Sequence, residues 1–152
     1  MTGPFNEQSR ITAKASNRRN TKYVKVILTS AQLLALNTTP ITVVPAPGAG
    51  LTNVIQNIYA TCPAQTTGYT IGSATGIAFK YNNSSGVTAC TLPVTGFIDQ
   101  TTLQQAATLP ASSGHLPAAN APIVAYMAGA NVTAGTGTVS IRIYYATYPA
   151  QL

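Results

Sequence analysis

The sequence predicts an all-β fold: a β-sandwich or jelly-roll-like body with an extended basic N-terminal arm and one short helix. Three observations carry that expectation. Short runs rich in Val, Ile, Thr and Tyr recur along the chain, separated by clusters of Gly, Pro, Asn and Ser. Several of these runs alternate apolar with polar residues, the two-residue period of a half-buried strand. No repeat of fixed period is visible across the 152 residues, which argues against a solenoid or propeller. The length fits one domain, divided into an arm (1–22) and a body (23–152).

The body opens on Tyr23-Val24-Lys25-Val26-Ile27-Leu28, which reads as a strand. Thr29 or Ser30 then offers a side-chain oxygen to the free N–H groups of a helix start. Ala and Leu favour one or two turns after it, and Asn37 can stop them. Ile41–Val44 alternates as a short strand. Residues 45–50, Pro-Ala-Pro-Gly-Ala-Gly, form a turn, because Pro fixes φ and Gly permits positive φ. Residues 51–60 read as a longer strand. Further strand candidates are 69–71, 76–81, 87–92 and 96–99, with the Asn/Ser/Gly run 82–86 as a hairpin turn. Residues 101–108 read as a helical turn or irregular segment, and 110–122 as a loop. Two strands, 123–128 and 138–145, close the body around a Gly-rich turn. In the last strand Val139, Ile141, Ile143 and Tyr145 share one face, and Ser140, Arg142 and Tyr144 the other.

Charged residues make up 7% of the chain, against about 25% in an ordinary soluble domain. The only Asp is Asp99, the only Glu is Glu7 and the only His is His115. Glycoside hydrolysis needs two suitably spaced carboxyl groups, and a zinc site needs several Cys or His, so neither chemistry has its parts. No Gly-x-Ser-x-Gly elbow surrounds a serine, and Gly48-Ala49-Gly50 lacks the Lys-Ser/Thr that completes a phosphate loop. The expectation is a protein that is not an enzyme and holds no cofactor or metal. Cys62 and Cys90 read as two small buried thiols of a reducing compartment. No run of about 18 apolar residues occurs, so no membrane span is expected. Residues 1–25 lack the apolar stretch of a signal peptide.

The charge is unevenly placed. Residues 1–25 hold Arg10, Lys14, Arg18, Arg19, Lys22 and Lys25 with Glu7, for a net +5; the rest holds Lys80, Arg142 and Asp99, for a net +1. Those six cations are the candidate partner-binding residues, of an arm that orders against an acidic surface of protein or nucleic acid or else is a solvated tail that keeps a low-charge body soluble. Nucleic-acid binding by the body is not expected, because no basic stripe with interleaved aromatics is visible in the linear sequence. A body this poor in charge suits a subunit covered by copies or partners, since desolvating Thr, Ala and Gly costs far less than desolvating Lys or Glu.

Two segments point to a family. Residues 26–50, VILTSAQLLALNTTPITVVPAPGAG, and 129–145, GANVTAGTGTVSIRIYY, resemble small β-rich structural proteins of tailed bacteriophages, of the decoration or cement kind. The resemblance covers about a quarter of the chain. It implies a virion structural component with a β-rich fold and leaves open which one; the leading expectation is a capsid decoration protein on the outer surface of the head that bridges subunits of the major capsid protein or another virion protein. Copies of the chain would join as a homo-oligomer, a trimer by the point-group symmetry of capsid junctions. Two alternatives stand beside it: a tail, neck or fibre component, and a carbohydrate-binding sandwich displaying Tyr59, Tyr69, Tyr81 and Tyr126 in an open groove.

Overall fold

A computed structural model describes residues 21–110 and 119–150. Eight strands form two four-stranded antiparallel sheets: β1 (Thr21–Leu28), β2 (Ile41–Val44), β3 (Leu51–Cys62), β4 (Gly76–Tyr81), β5 (Thr88–Leu92), β6 (Gln104–Thr108), β7 (Ile123–Ala128) and β8 (Val139–Pro149). The first sheet has the order β1-β8-β3-β6 and the second β2-β7-β4-β5. The fold is an all-β sandwich. Its pairs β1:β8, β2:β7, β3:β6 and β4:β5 trace one long two-stranded ribbon that folds over on itself. β3:β8 and β4:β7 stitch the turns of that ribbon into sheets.

The one helix, α1 (Ser30–Ala35), starts where its cap residue dictates. The Thr29 Oγ1 accepts from the Gln32 N–H at 3.3 Å, and Gln32 Oε1 accepts from the Thr29 N–H at 2.9 Å. Leu33 and the following Leu36 are then turned into the core.

Strand alternation sets the core. Ile58, Ala60, Val139, Ile141 and Ile143 face inward from the first sheet, and Ile77, Phe79, Leu92, Ile123 and Met127 from the second. Three bulges adjust the register. One lies between Thr42 and Val44, which lets the adjacent Val43 and Val44 both be buried. The others fall between Ile55 and Asn57 and between Phe79 and Lys80.

Three expectations need correction. Residues 96–99 are a turn, not a strand: Gly96 has φ +75°, and the adjacent Phe97 and Ile98 are both buried, which a half-buried strand would forbid. Residues 104–108 are strand, although Gln and Ala favour helix. The second half of β3 needs a ladder partner, and that pairing overrides local propensity. Residues 69–71 reach only a single bridge, Thr70 with Thr133, before Gly72 at φ +56° turns the chain away. Thr21 and Lys22, read from the sequence as the end of the arm, are the first two residues of β1.

Candidate functional site

Antiparallel pairing brings together side chains that the sequence scatters. Across β1 and β8, Tyr23 stands opposite Tyr144, Lys25 opposite Arg142 and Ile27 opposite Ser140. On the other flank of β8, Tyr59 of β3 stands opposite Arg142, and Asn57 opposite Tyr144. Their sequence neighbours Ile58, Ala60, Ile141 and Ile143 face the core, so this set occupies the outer face of the first sheet.

The rings form a chain of contacts. Tyr23 and Tyr144 have centroids 5.8 Å apart with planes tilted by 34°, and Tyr59 meets Tyr144 edge-on at 6.0 Å and 89°. The Arg142 guanidinium lies 5.9 Å from the Tyr23 ring centre. The set remains open to solvent, with Tyr23 65%, Ile27 55% and Tyr59 52% exposed. Beside Tyr59 lies a shallow hollow of about 250 Å³, lined also by Ala60, Thr61, Gln105, Ala106 and Ala107.

The electrostatics are one-signed. The described residues carry four cations, Lys22, Lys25, Lys80 and Arg142, and one carboxylate, Asp99. Three of the four cations lie on β1 and β8. Asp99 sits in the 95–99 turn, where its Oδ1 accepts from Gln100 Nε2 at 3.0 Å. Lys25 directly opposite Arg142 is a like-charge cross-strand pair, an arrangement that costs stability. Lys22 Nζ donates to Thr147 Oγ1 at 3.2 Å, and that hydroxyl donates to the buried Asn53 Oδ1 at 2.8 Å.

Of the arm cations, Arg10, Lys14, Arg18 and Arg19 lie outside the described residues, while Lys22 and Lys25 are strand residues of β1. His115 also lies outside them. The four-tyrosine groove is not formed. Tyr69 and Tyr81 are buried, and Tyr126 is on the second sheet, with Lys80 Nζ 5.3 Å from its ring centre and its hydroxyl accepting from Asn37 Nδ2. Only Tyr59 of that set is on the aromatic face, joined there by Tyr23 and Tyr144. The alternation of Arg142 and Tyr144 on β8 was readable; the register that adds Tyr23, Lys25 and Tyr59 was not.

The remaining reactive groups are core groups. Cys62 and Cys90 are free and buried. Burial pushes the Cys90 thiol up to about 12 and raises Cys62 as well. Burial, and then the nearby Cys62, pushes the Tyr69 phenol up to about 12. Thiols held protonated in this way are weak nucleophiles. Among the described residues no three His, Cys, Asp or Glu side chains come together, and no helix is long and apolar enough to cross a membrane. What the outer face can do is bind: it offers aromatic area, guanidinium and ammonium donors and, among the described residues, no competing anion.

No family model matches the chain, and no curated protein matches it. Among solved structures it is similar to a chain of the cyanophage Pam1 capsid asymmetric unit. The TM-score is 0.43 at 13% identity, over 83% of this chain and 82% of that one.

Proposed function

We propose that the protein is a structural component of a bacteriophage virion, a capsid decoration (cement) protein with no enzymatic role. The observation that carries this reading is the near absence of ionic groups from a fully formed sandwich: five charged side chains among the described residues, three of them gathered on one sheet. A free monomer relies on a mixed charged surface for solubility, whereas a subunit enclosed by neighbours does not. The folded-over ribbon supports it as well, since it follows the jelly-roll plan used by viral capsid domains, although lectins and cupins share that plan. The two phage-like sequence segments add to this.

Leu103 and Leu109 stand exposed at either end of β6, an uncharged sheet edge, and suit contacts between copies. A trimer at a capsid junction is the assembly we favour. Cementing then follows from linkage: a partner that binds only the assembled shell stabilises it, by about 2.7 kcal/mol when present at about 100 times its dissociation constant.

The test is to image the native particle and count this chain. A copy number matching the head lattice, with density at junctions of capsid subunits, is the expected result. A few copies along the tail axis would replace the decoration role with a tail, neck or fibre role. Retention on glycan columns as a monomer, with no copies on the particle, would overturn both in favour of a carbohydrate-binding module.

A further inference from the structure

We infer that the outer face of the β1-β8-β3-β6 sheet, centred on Tyr23, Lys25, Tyr59, Arg142 and Tyr144, is the docking surface for a carboxylate-bearing protein surface. The inference deepens the decoration reading by naming the face that attaches and the chemistry of what it attaches to, and for the partner's identity it rests on that reading. Four observations lead to it.

Lys25 and Arg142 face each other across the β1–β8 ladder, and the one described carboxylate lies in the turn after β5. A cross-strand pair of like charges is unfavourable in the free protein, and it becomes favourable when an outside anion lies between them. The Arg142 guanidinium already lies over the Tyr23 ring at 5.9 Å from its centre, within cation–π range, while its planar fork can take a carboxylate through two N–H groups.

The composition is that of an interface centre. Protein interfaces concentrate their energy in Tyr and Arg surrounded by contacts of little individual worth, and here three Tyr and one Arg are ringed by Ser140, Thr61, Ala107 and Gln105. Chain continuity gives the third observation. The described structure begins at Thr21, the first residue of β1, and the 20 residues before it carry Arg10, Lys14, Arg18 and Arg19 against Glu7. Four further cations are therefore tethered to the strand that borders this face, while Lys80 lies on the other sheet.

Ring geometry selects protein over single-stranded nucleic acid. Tyr59 meets Tyr144 edge-on, and one face of Tyr23 is engaged by Arg142, so the rings do not present successive free faces for stacked bases. Two cations on the face itself are also few for a phosphate-tracking groove.

The test uses the full chain, isotope-labelled, titrated by NMR with a short peptide alternating Glu and Leu and, separately, with oligothymidylate of matched charge. The expected result is amide shifts clustered on Tyr23, Lys25, Ile27, Tyr59, Arg142 and Tyr144 with the peptide. The paired variant Arg142→Gln with Tyr144→Ala should bind the peptide about tenfold more weakly or worse. Lys80→Gln on the other sheet should bind as the parent does. Lys25→Glu is the sharper probe, because an ion pair with Arg142 should raise the melting temperature while removing peptide binding. Shifts confined to residues 1–20, tighter binding of oligothymidylate than of peptide, or a Lys25→Glu variant that binds as well as the parent would each overturn the inference. Particle imaging separates its fate from that of the decoration reading. A chain seated on the head through another face sinks the inference alone; a peptide-binding chain absent from the particle sinks the decoration reading alone.

Discussion

Cys90 and Tyr69 are neutral groups enclosed by apolar neighbours, and their burial gives stability a dependence on alkaline pH. Unfolded, the thiol and the phenol ionise near 9.0 and 10.0; folded, both hold their protons to about 12. Below about pH 9 these two groups are protonated in both states and add no pH dependence. Above that, only the unfolded chain ionises, so stability falls by up to about 1.4 kcal/mol per pH unit for each group, until the folded groups titrate as well. Urea midpoints measured from pH 8 upward should therefore hold steady and then decline, and an unchanged midpoint at pH 11 would contradict the burial. A second residue-scale prediction concerns Gly135. Its φ is +86°, and a Cβ built there runs into the Tyr69 ring, whose hydroxyl donates to the Gly137 carbonyl. Gly135→Ala should cost about 1–3 kcal/mol, read from the shift of the denaturation midpoint.

Helix α1 stands on a reciprocal cap, so Thr29→Ala should destabilise the protein by about 1 kcal/mol; a midpoint shift within error would mean that packing of Leu33 and Leu36 alone holds the helix. The helix start was legible in Thr29-Ser30, though not the return bond from Gln32, and so were β1, β2, β3, β4, β5, β7 and β8, because each joins an alternating or apolar run to a strong stop signal. β6 was not legible. Gln104-Gln105-Ala106-Ala107-Thr108 carries no strand preference of its own and becomes strand through Ile58–Cys62 of β3, which lie more than 40 residues earlier in the chain. The 65–70 segment is held in a similarly non-local way. Gln65 Nε2 donates to the carbonyls of Ile98 and Gln100 at 2.7 and 2.8 Å, and its Oε1 accepts from the Gly137 N–H at 2.8 Å. No local pattern announces a glutamine that ties three loops. The outer aromatic face was half legible for the same reason: alternation places Arg142 with Tyr144, but only strand order places Tyr23 and Lys25 on one side and Tyr59 on the other.

At the scale of the whole molecule the net charge divides evenly between a short segment and a much longer body. Residues 1–20 hold four cations and Glu7, net +3; residues 21–152 hold four cations and Asp99, also net +3. Under the docking proposed above, long-range attraction to an acidic partner is shared between the N-terminal segment and the body, and the two shares differ in kind. Exposed charges act through a screened field that fades over about 8–10 Å at physiological salt, whereas Tyr23, Tyr59 and Tyr144 bind by contact area that salt leaves alone. Removing residues 1–20 tests the division, and the cut belongs before Thr21, because a longer one would remove the first pairs of the β1–β8 ladder, Thr21 with Ala146 and Lys22 with Tyr145. The shortened chain should keep its denaturation midpoint, since the ladder and core are intact. On the decoration reading, its retention on the particle should fall on the order of tenfold at low ionic strength, at about 0.3–0.4 kcal/mol for each of the four cations removed. Raising the salt should then weaken it less steeply than the full chain, and the two affinities should converge. A salt dependence equal to that of the full chain would assign all of the electrostatic attachment to Lys22, Lys25 and Arg142 on the sandwich itself.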